Sequence, residues 1–184
     1  MQVIANLKIK NKRRIEFLIS NLDDLEEYGY LKIDYYFKNT YVQLFDDFLT
    51  EGVKAFIAVL EKCIDGDMNI SRGYFEKGIG YEWNKECHEI SVGNTEGEDV
   101  TGRFLMWEAN PKIGIATWMY NYREKTYLEI SPEYKYHFAD PEPNEEFVSF
   151  ESFLSSYEMI DRIVLDQETI AQWHDEANTV MTNL

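Results

Sequence analysis

Two stretches of this chain alternate in a two-residue rhythm around a short polar break, and no other feature narrows the fold as much. In the first, "YLKIDYYF" and "YVQLFDDF" flank Lys38-Asn39-Thr40. In the second, "IGIATWMYNY" and "KTYLEIS" flank Arg123-Glu124. β-Branched and aromatic residues in this pattern predict antiparallel hairpins. A third hairpin is expected at the start, where Val3, Ala5, Leu7 and Ile9 lead into the basic turn "KNKR" and Ile15, Phe17 and Ile19 lead out of it. The outgoing stretch carries a second pattern. Ile15, Leu18, Ile19, Leu22 and Leu25 also fit a helical stripe that Gly29 would stop. Two readings stand for residues 13–28, a strand plus a short helix or one helix, and the first is preferred.

Val53, Phe56, Ile57, Leu60 and Ile64 recur at helical spacing, with Thr50 as the expected cap and Gly66 as the stop. Residues 67–85 are punctuated by glycine and read as an irregular loop. "CHEISVG" and "GRFLMWE" read as further strands. "SFESFLSSYEMI" predicts a helix capped by Ser149, and Asp166 caps a last one through Ile170, Trp173, Ala177 and Met181. Hairpins in the middle, a helix after Thr50 and two helices at the C-terminus make a single α+β domain over residues 1–184, built on a mainly antiparallel sheet. Regular strand–helix alternation, the mark of a doubly wound sheet, is missing.

Charge restricts the partners. The chain carries 34 acidic against 18 basic residues, for a net charge of −16. The bases gather at the start, with Lys8, Lys10, Lys12, Arg13 and Arg14 in the first 14 residues and no acid among them. Residues 139–184 hold eleven acids and one base. Such a field repels nucleic acid and anionic membrane and favours encounter with a basic protein. The basic turn is expected to offset the acidic body from an exposed hairpin rather than to meet the partner. Cys63 and Cys87 are the only cysteines. They supply no disulfide framework and no four-ligand zinc set, which fits a reducing cytoplasm. No stretch is apolar enough to span a membrane.

All but one of the candidate chemistries meet a structural objection. "GYFEKGIGYEW" has Gly73, Gly78 and Gly80 but lacks the Gly-Lys-Ser/Thr ending of a phosphate loop. Cys87, His88 and Glu89, read as a strand, put thiol and imidazole on opposite faces, so they cannot pair. His137 with Asp140, and His174 with Asp175 and Glu176, lack metal-ligand spacing, and no metal or cofactor is expected. Carboxylates beside aromatic strands (Glu82, Glu89, Glu108, Glu129) leave room for acid–base work, because lost hydration raises a carboxyl pKa.

The second hairpin carries the most suggestive surface. Ile113, Ile115, Thr117 and Met119 share one face with Thr126, Leu128 and Ile130. Ala116, Trp118, Tyr120 and Tyr122 share the other with Tyr127 and Glu129. Either helices cover both faces, or the aromatic face stays partly open. The open case predicts a recognition patch made of Tyr120, Tyr122, Tyr127, Tyr134 and Tyr136, edged by Glu129, Glu133, Asp140, Glu142, Glu145 and Glu146.

Compact, acidic and α+β, with "ATWMYN" and "YLEISPEY" in this hairpin, the chain resembles the immunity proteins that bacteria make against polymorphic or contact-delivered toxins. The likeness is one of whole-chain character and assigns no residue a role. It implies a cytoplasmic, non-enzymatic protein that blocks a basic toxin, nucleases included, by steric and electrostatic means. The alternatives are a small hydrolase using strand carboxylates and a structural or homo-oligomeric scaffold. The oligomeric state is left open.

Overall fold

A computed structural model describes residues 1–20, 29–93 and 100–183. The chain is α+β, and its strands form two antiparallel four-stranded sheets rather than one. The first sheet is β1 (Gln2–Ile9), β2 (Arg13–Ile19), β3 (Tyr30–Phe37) and β4 (Thr40–Phe48), paired in chain order. The second is β5 (Leu105–Glu108), β6 (Ile115–Tyr122), β7 (Lys125–Pro132) and β8 (Asp161–Leu165), again in chain order. All three expected hairpins are present. Lys38 and Asn39, and Arg123 and Glu124, hold positive φ at both positions of a two-residue turn, as a hairpin of this twist requires. Residues 13–19 are strand, and the short helix expected after them falls at 21–28, outside the described residues.

Helix α1 (Leu49–Ile64) follows β4 directly, so Thr50 lies within its first turn and Phe48 takes the N-cap position. The Leu49 amide is held instead by the Gly29 carbonyl, at 2.7 Å. Phe56 of α1 is the meeting point of the core. Its ring centroid lies 5.8 Å from Phe17 of β2, 5.1 Å from Trp107 of β5 and 5.8 Å from Trp173 of α5 (Gln167–Thr182). Both sheets and two helices thus share one aromatic cluster, and the Trp107 Nε1–H donates to the Gly52 carbonyl of α1 at 2.9 Å.

The largest departure from the sequence reading is at 67–93. Two helices occupy this stretch, α2 (Arg72–Lys77) and α3 (Ile79–Ser91), where a loop and then a strand were expected. Ile79, Trp83 and Cys87 are four residues apart and all buried, a helical stripe that the glycines obscured. Strand β8 was also missed, since five residues are too few for a pattern and its pairing with β7 defines it. The two C-terminal helices are present as α4 (Phe150–Ser155) and α5, with Ser149 and Asp166 as their caps.

Part of the basic N-terminal turn clamps the sheets together. Arg13 Nε and Nη2 donate to Asp161 of β8 at 2.8 and 3.3 Å, and the Tyr35 hydroxyl donates to the same carboxylate at 2.7 Å. Burial acts to raise the Asp161 carboxyl, but the bonds from Arg13 and Tyr35 outweigh it and hold it below the usual range. Lys10 reaches Asp166 at 2.6 Å, with 81% of its side chain exposed. Arg13→Gln should therefore lower the unfolding free energy by about 2 kcal/mol, because it strips a partly buried carboxylate of its charged partner and leaves it only the Tyr35 hydroxyl and the Arg162 amide. Lys10→Gln should leave it unchanged, because an exposed pair contributes little. Urea titration of both variants checks this, and equal effects would contradict it.

Candidate functional site

The aromatic face of the β6–β7 hairpin is closed, and α2 and α3 close it. Phe75 of α2 stacks on Tyr122 at 4.0 Å and meets Tyr127 edge-on at 4.9 Å, and Trp83 of α3 lies 5.5 Å from Trp118. Tyr120 and Glu129 are fully buried and Tyr134 nearly so, which removes all three from the expected recognition patch. Tyr122 and Tyr127 are half-buried beneath Phe75. Ile113 precedes β6 and is exposed, so it does not extend the aliphatic face.

Glu129 is buried for a structural purpose. Its Oε1 accepts the Gly80 N–H in the first turn of α3 at 3.0 Å. Its Oε2 accepts the Tyr120 hydroxyl at 2.6 Å and Arg162 Nη2 of β8 at 3.1 Å. The carboxylate thus satisfies an open helix N-terminus, where backbone N–H groups and the helix dipole favour an anion. The Tyr120 hydroxyl is pushed up, by burial first and then by the Glu129 charge. The glycines set aside as a phosphate loop belong here. Gly78 holds φ +102, and a Cβ on Gly80 would overlap Ser131 Oγ, so both allow the close approach of α3 to the sheet.

Beyond β7, residues 133–149 form a long connection to α4, fastened to α3 by Asn84. This fully buried side chain accepts from the Tyr134 N–H at 2.7 Å and donates to the carbonyls of Gly80 and Pro132 at 2.7 and 3.1 Å. His137 Nε2 lies 3.3 Å from the same Asn84 oxygen, so Nε2 carries the proton and the buried Nδ1 has no partner among the described residues. The fastening leaves a ridge in water. Phe138 is 72% exposed, Phe147 57% exposed, and Tyr136 sits against Phe147 at 5.3 Å. Tyr136, Asp140, Glu142 and Glu145 line a hollow of about 550 Å³ beside the ridge. Their charges are not equivalent. Glu145 bonds Lys135 at 2.6 Å and the Glu142 amide at 3.2 Å, which lowers its carboxyl to about 2 and ties it into the loop. Glu142 has a loose partner in Lys112 at 3.6 Å, while Asp140 and Glu146 form no ion pair among the described residues.

A second hollow of about 610 Å³ shares Pro111 as a wall with the first. Asp46 and Asp47 from β4, Glu51 from α1, Glu108 from β5 and Glu133 line it, with no basic residue. Lost hydration, followed by the Glu108 charge, pushes Glu133 up to about 7, and lost hydration raises Glu108 as well. Of the four carboxylates weighed for acid–base work, only Glu108 is here. Glu82 and Glu89 stand on α3, not on a strand, and Glu129 is the buried cap.

The remaining candidates scatter. Cys87, His88 and Glu89 lie on α3, and His88 stacks on Phe150 at 3.8 Å. His174 contacts Asn178 and lies 3.4 Å from Glu61. Among the described residues no group of three acidic, histidine or cysteine side chains converges on a point that could hold a metal ion, and no helix is long and apolar enough to cross a membrane. Sequence reasoning missed Phe138, Phe147 and Val148. Their only signal was apolar residues standing alone in an acid- and proline-rich loop. No protein-family model, no curated protein and no solved structure matches the chain.

His137 and Glu133 give opposite pH signatures. Burial, then the neighbouring His88, lowers His137 to about 4. The unfolded chain therefore binds this proton first, and the stability lost between pH 6.5 and 4 amounts to about 3 kcal/mol. His137→Phe should remove that part of the decline, measured by urea unfolding across this range. Glu133 is raised, so the folded state binds the proton first, and its contribution is lost as pH climbs from 4.5 through 7. Glu133→Gln should stabilise the chain by up to about 3 kcal/mol at pH 8 and leave it unchanged at pH 4.5. A variant no more stable at pH 8 than at pH 4.5 would contradict this.

Proposed function

We propose that this chain is a non-enzymatic binding protein that neutralises a basic protein by covering it, in the manner of the immunity proteins it resembles, and that it works in the cytoplasm. The observation that carries the reading is the continuity of two surfaces across Pro111. One is an aromatic ridge (Tyr136, Phe138, Phe147) bordered by Asp140, Glu142 and Glu146. The other is a cleft lined by five carboxylates and no base. Exposed aromatic anchors within a charged rim are the composition of a recognition surface. Unpaired carboxylates that raise the energy of the free fold are offset when a cationic partner approaches them.

A hydrolase is the second reading, and the Glu108–Glu133 pair favours it. Two carboxyls held above their ordinary range in one cleft are an arrangement suited to proton transfer. Turnover of a glycoside or ester that disappears in Glu108→Gln and Glu133→Gln would establish that reading instead.

The partner to test is any basic toxin domain that a neighbouring gene proves to encode. Protection of cells expressing it, and a stoichiometric complex, are the expected results. Neutralising Asp140, Glu142 and Glu146 together should slow association and flatten its salt dependence, since rim charges steer more than they hold. Phe138→Ala or Phe147→Ala should speed dissociation, with a loss of about 2 kcal/mol at a central anchor. These side chains stand in water, so the variants fold. Rates unchanged in all of them would remove this surface as the site.

A further inference from the structure

One hollow runs against the charge of the whole molecule. It lies between the tips of the β1–β2 and β3–β4 hairpins, on the first sheet, and holds about 630 Å³, the size of a small-molecule site. Its lining contributes Lys12, Arg13, Arg14 and Lys38 and not one carboxylate, in a chain with 34 acids and 18 bases. Asp161 and Glu16 each pair with one of the two arginines, and acids farther than about 8 Å are largely screened at physiological salt.

The four cations are not equally committed. Arg13 is occupied by Asp161. Arg14 lays its guanidinium 3.9 Å from the Tyr36 ring centroid and bonds Glu16 through Nε at 2.6 Å. Those two contacts fix the plane of the fork and leave its terminal nitrogens as donors, the geometry that suits a phosphate. Lys12 and Lys38 form no ion pair among the described residues, although acids outnumber bases nearly two to one. Beside these donors Tyr41 is 55% exposed, its ring 5.7 Å from that of Tyr36, and it lines the same hollow. A fixed guanidinium and two ammonium groups without an ion pair, next to an exposed aromatic ring, match a ligand with an anionic end and a flat end.

We infer that this hollow binds a nucleoside diphosphate, with its phosphates on Lys12, Arg14 and Lys38 and its base against Tyr41. The site is independent of the ridge and cleft proposed to meet the protein partner, and its ligand is of the opposite charge. Phosphate oxygens take the ammonium and guanidinium N–H groups as charge-assisted bonds, and the base stacks on the exposed Tyr41 ring, which Lys32 Nζ approaches to 5.4 Å.

The test titrates the full chain with adenosine diphosphate, pyrophosphate and adenosine by calorimetry at low ionic strength. Adenosine diphosphate should saturate, pyrophosphate should bind more weakly, and adenosine should not saturate. The double variant Lys12→Gln/Lys38→Gln should weaken both anions by at least about tenfold. Tyr41→Ala should weaken the diphosphate toward pyrophosphate and leave pyrophosphate unchanged. All three side chains are exposed, and a melting curve for each variant confirms its fold. Failure of adenosine diphosphate to saturate, or equal affinity in the lysine variant, overturns the site. Pyrophosphate binding as tightly as the diphosphate, with Tyr41→Ala affecting neither, overturns the nucleoside assignment. Glu142→Gln should bind the diphosphate like the unaltered chain, and a loss there would place the ligand elsewhere and overturn the inference as well.

Discussion

A single buried carboxylate holds the second half of this protein together. Glu129 lies at the centre of β7, and its two oxygens bond the Gly80 N–H of α3, the Tyr120 hydroxyl of β6 and the Arg162 guanidinium of β8. Isolated in an apolar interior, a carboxylate would be strongly unfavourable. Three donors from three elements make it tolerable, and the same three bonds fix where α3 begins and where β8 lies. The helix start has no side-chain cap of its own at Gly78, and Glu129 supplies one from 49 residues away. Because α3 is placed by Glu129, the aromatic face of the hairpin is covered, and the exposed aromatics are those that α3 leaves outside.

What α3 leaves outside is the connection between β7 and α4, and the same helix positions it. Asn84 is two turns or fewer from the Glu129 contact and fully buried, and its amide bonds Tyr134, Gly80 and Pro132. A loop fastened at its root by such bonds presents Tyr136, Phe138 and Phe147 with little ordering left for a partner to impose, which favours affinity. The cleft beside it shows the opposite economy. Glu133, half-buried, and Glu108, at the exposed edge, line a hollow with no basic residue, so the free fold carries repulsion that a cation would relieve. Sites that carry such strain are common where a surface is shaped for binding rather than for stability.

The cations are distributed by the same logic. Arg13 joins the two sheets through Asp161 and Arg162 joins β8 to Glu129 of β7, each bonded to a carboxylate with little exposure, and their removal would expose a defect in the fold. Lys12 and Lys38 stand at hairpin tips where nothing in the fold needs them. A net charge of −16 therefore describes the encounter field of the molecule but not each of its surfaces.

Local pattern determined the strands and helices that carry their own signals. The hairpins around Lys38-Asn39 and Arg123-Glu124, the stripe of α1, and the caps Ser149 and Asp166 were legible because alternation, helical spacing and capping are nearest-neighbour chemistry. The faces of the β6–β7 hairpin were legible too, since alternation fixes which residues share a side. Which side faces water was not. Tyr120 and Glu129 look the same in sequence whether covered or open, and Phe75, Gly80 and Trp83, 37 to 54 residues away, decided the matter. Helix α3 escaped notice because its glycines weaken the local signal and its cap comes from another element. Strand β8 escaped because five residues acquire a conformation only by pairing with β7. Glu108 was singled out as a carboxyl that lost hydration would raise, but the cleft itself could not be read, because proximity among Asp46, Glu51, Glu108 and Glu133 arises only when the two sheets pack around Phe56. Sequence records the preferences of each segment, whereas burial and shared fields depend on long-range packing, and that is where this protein's candidate surfaces were decided.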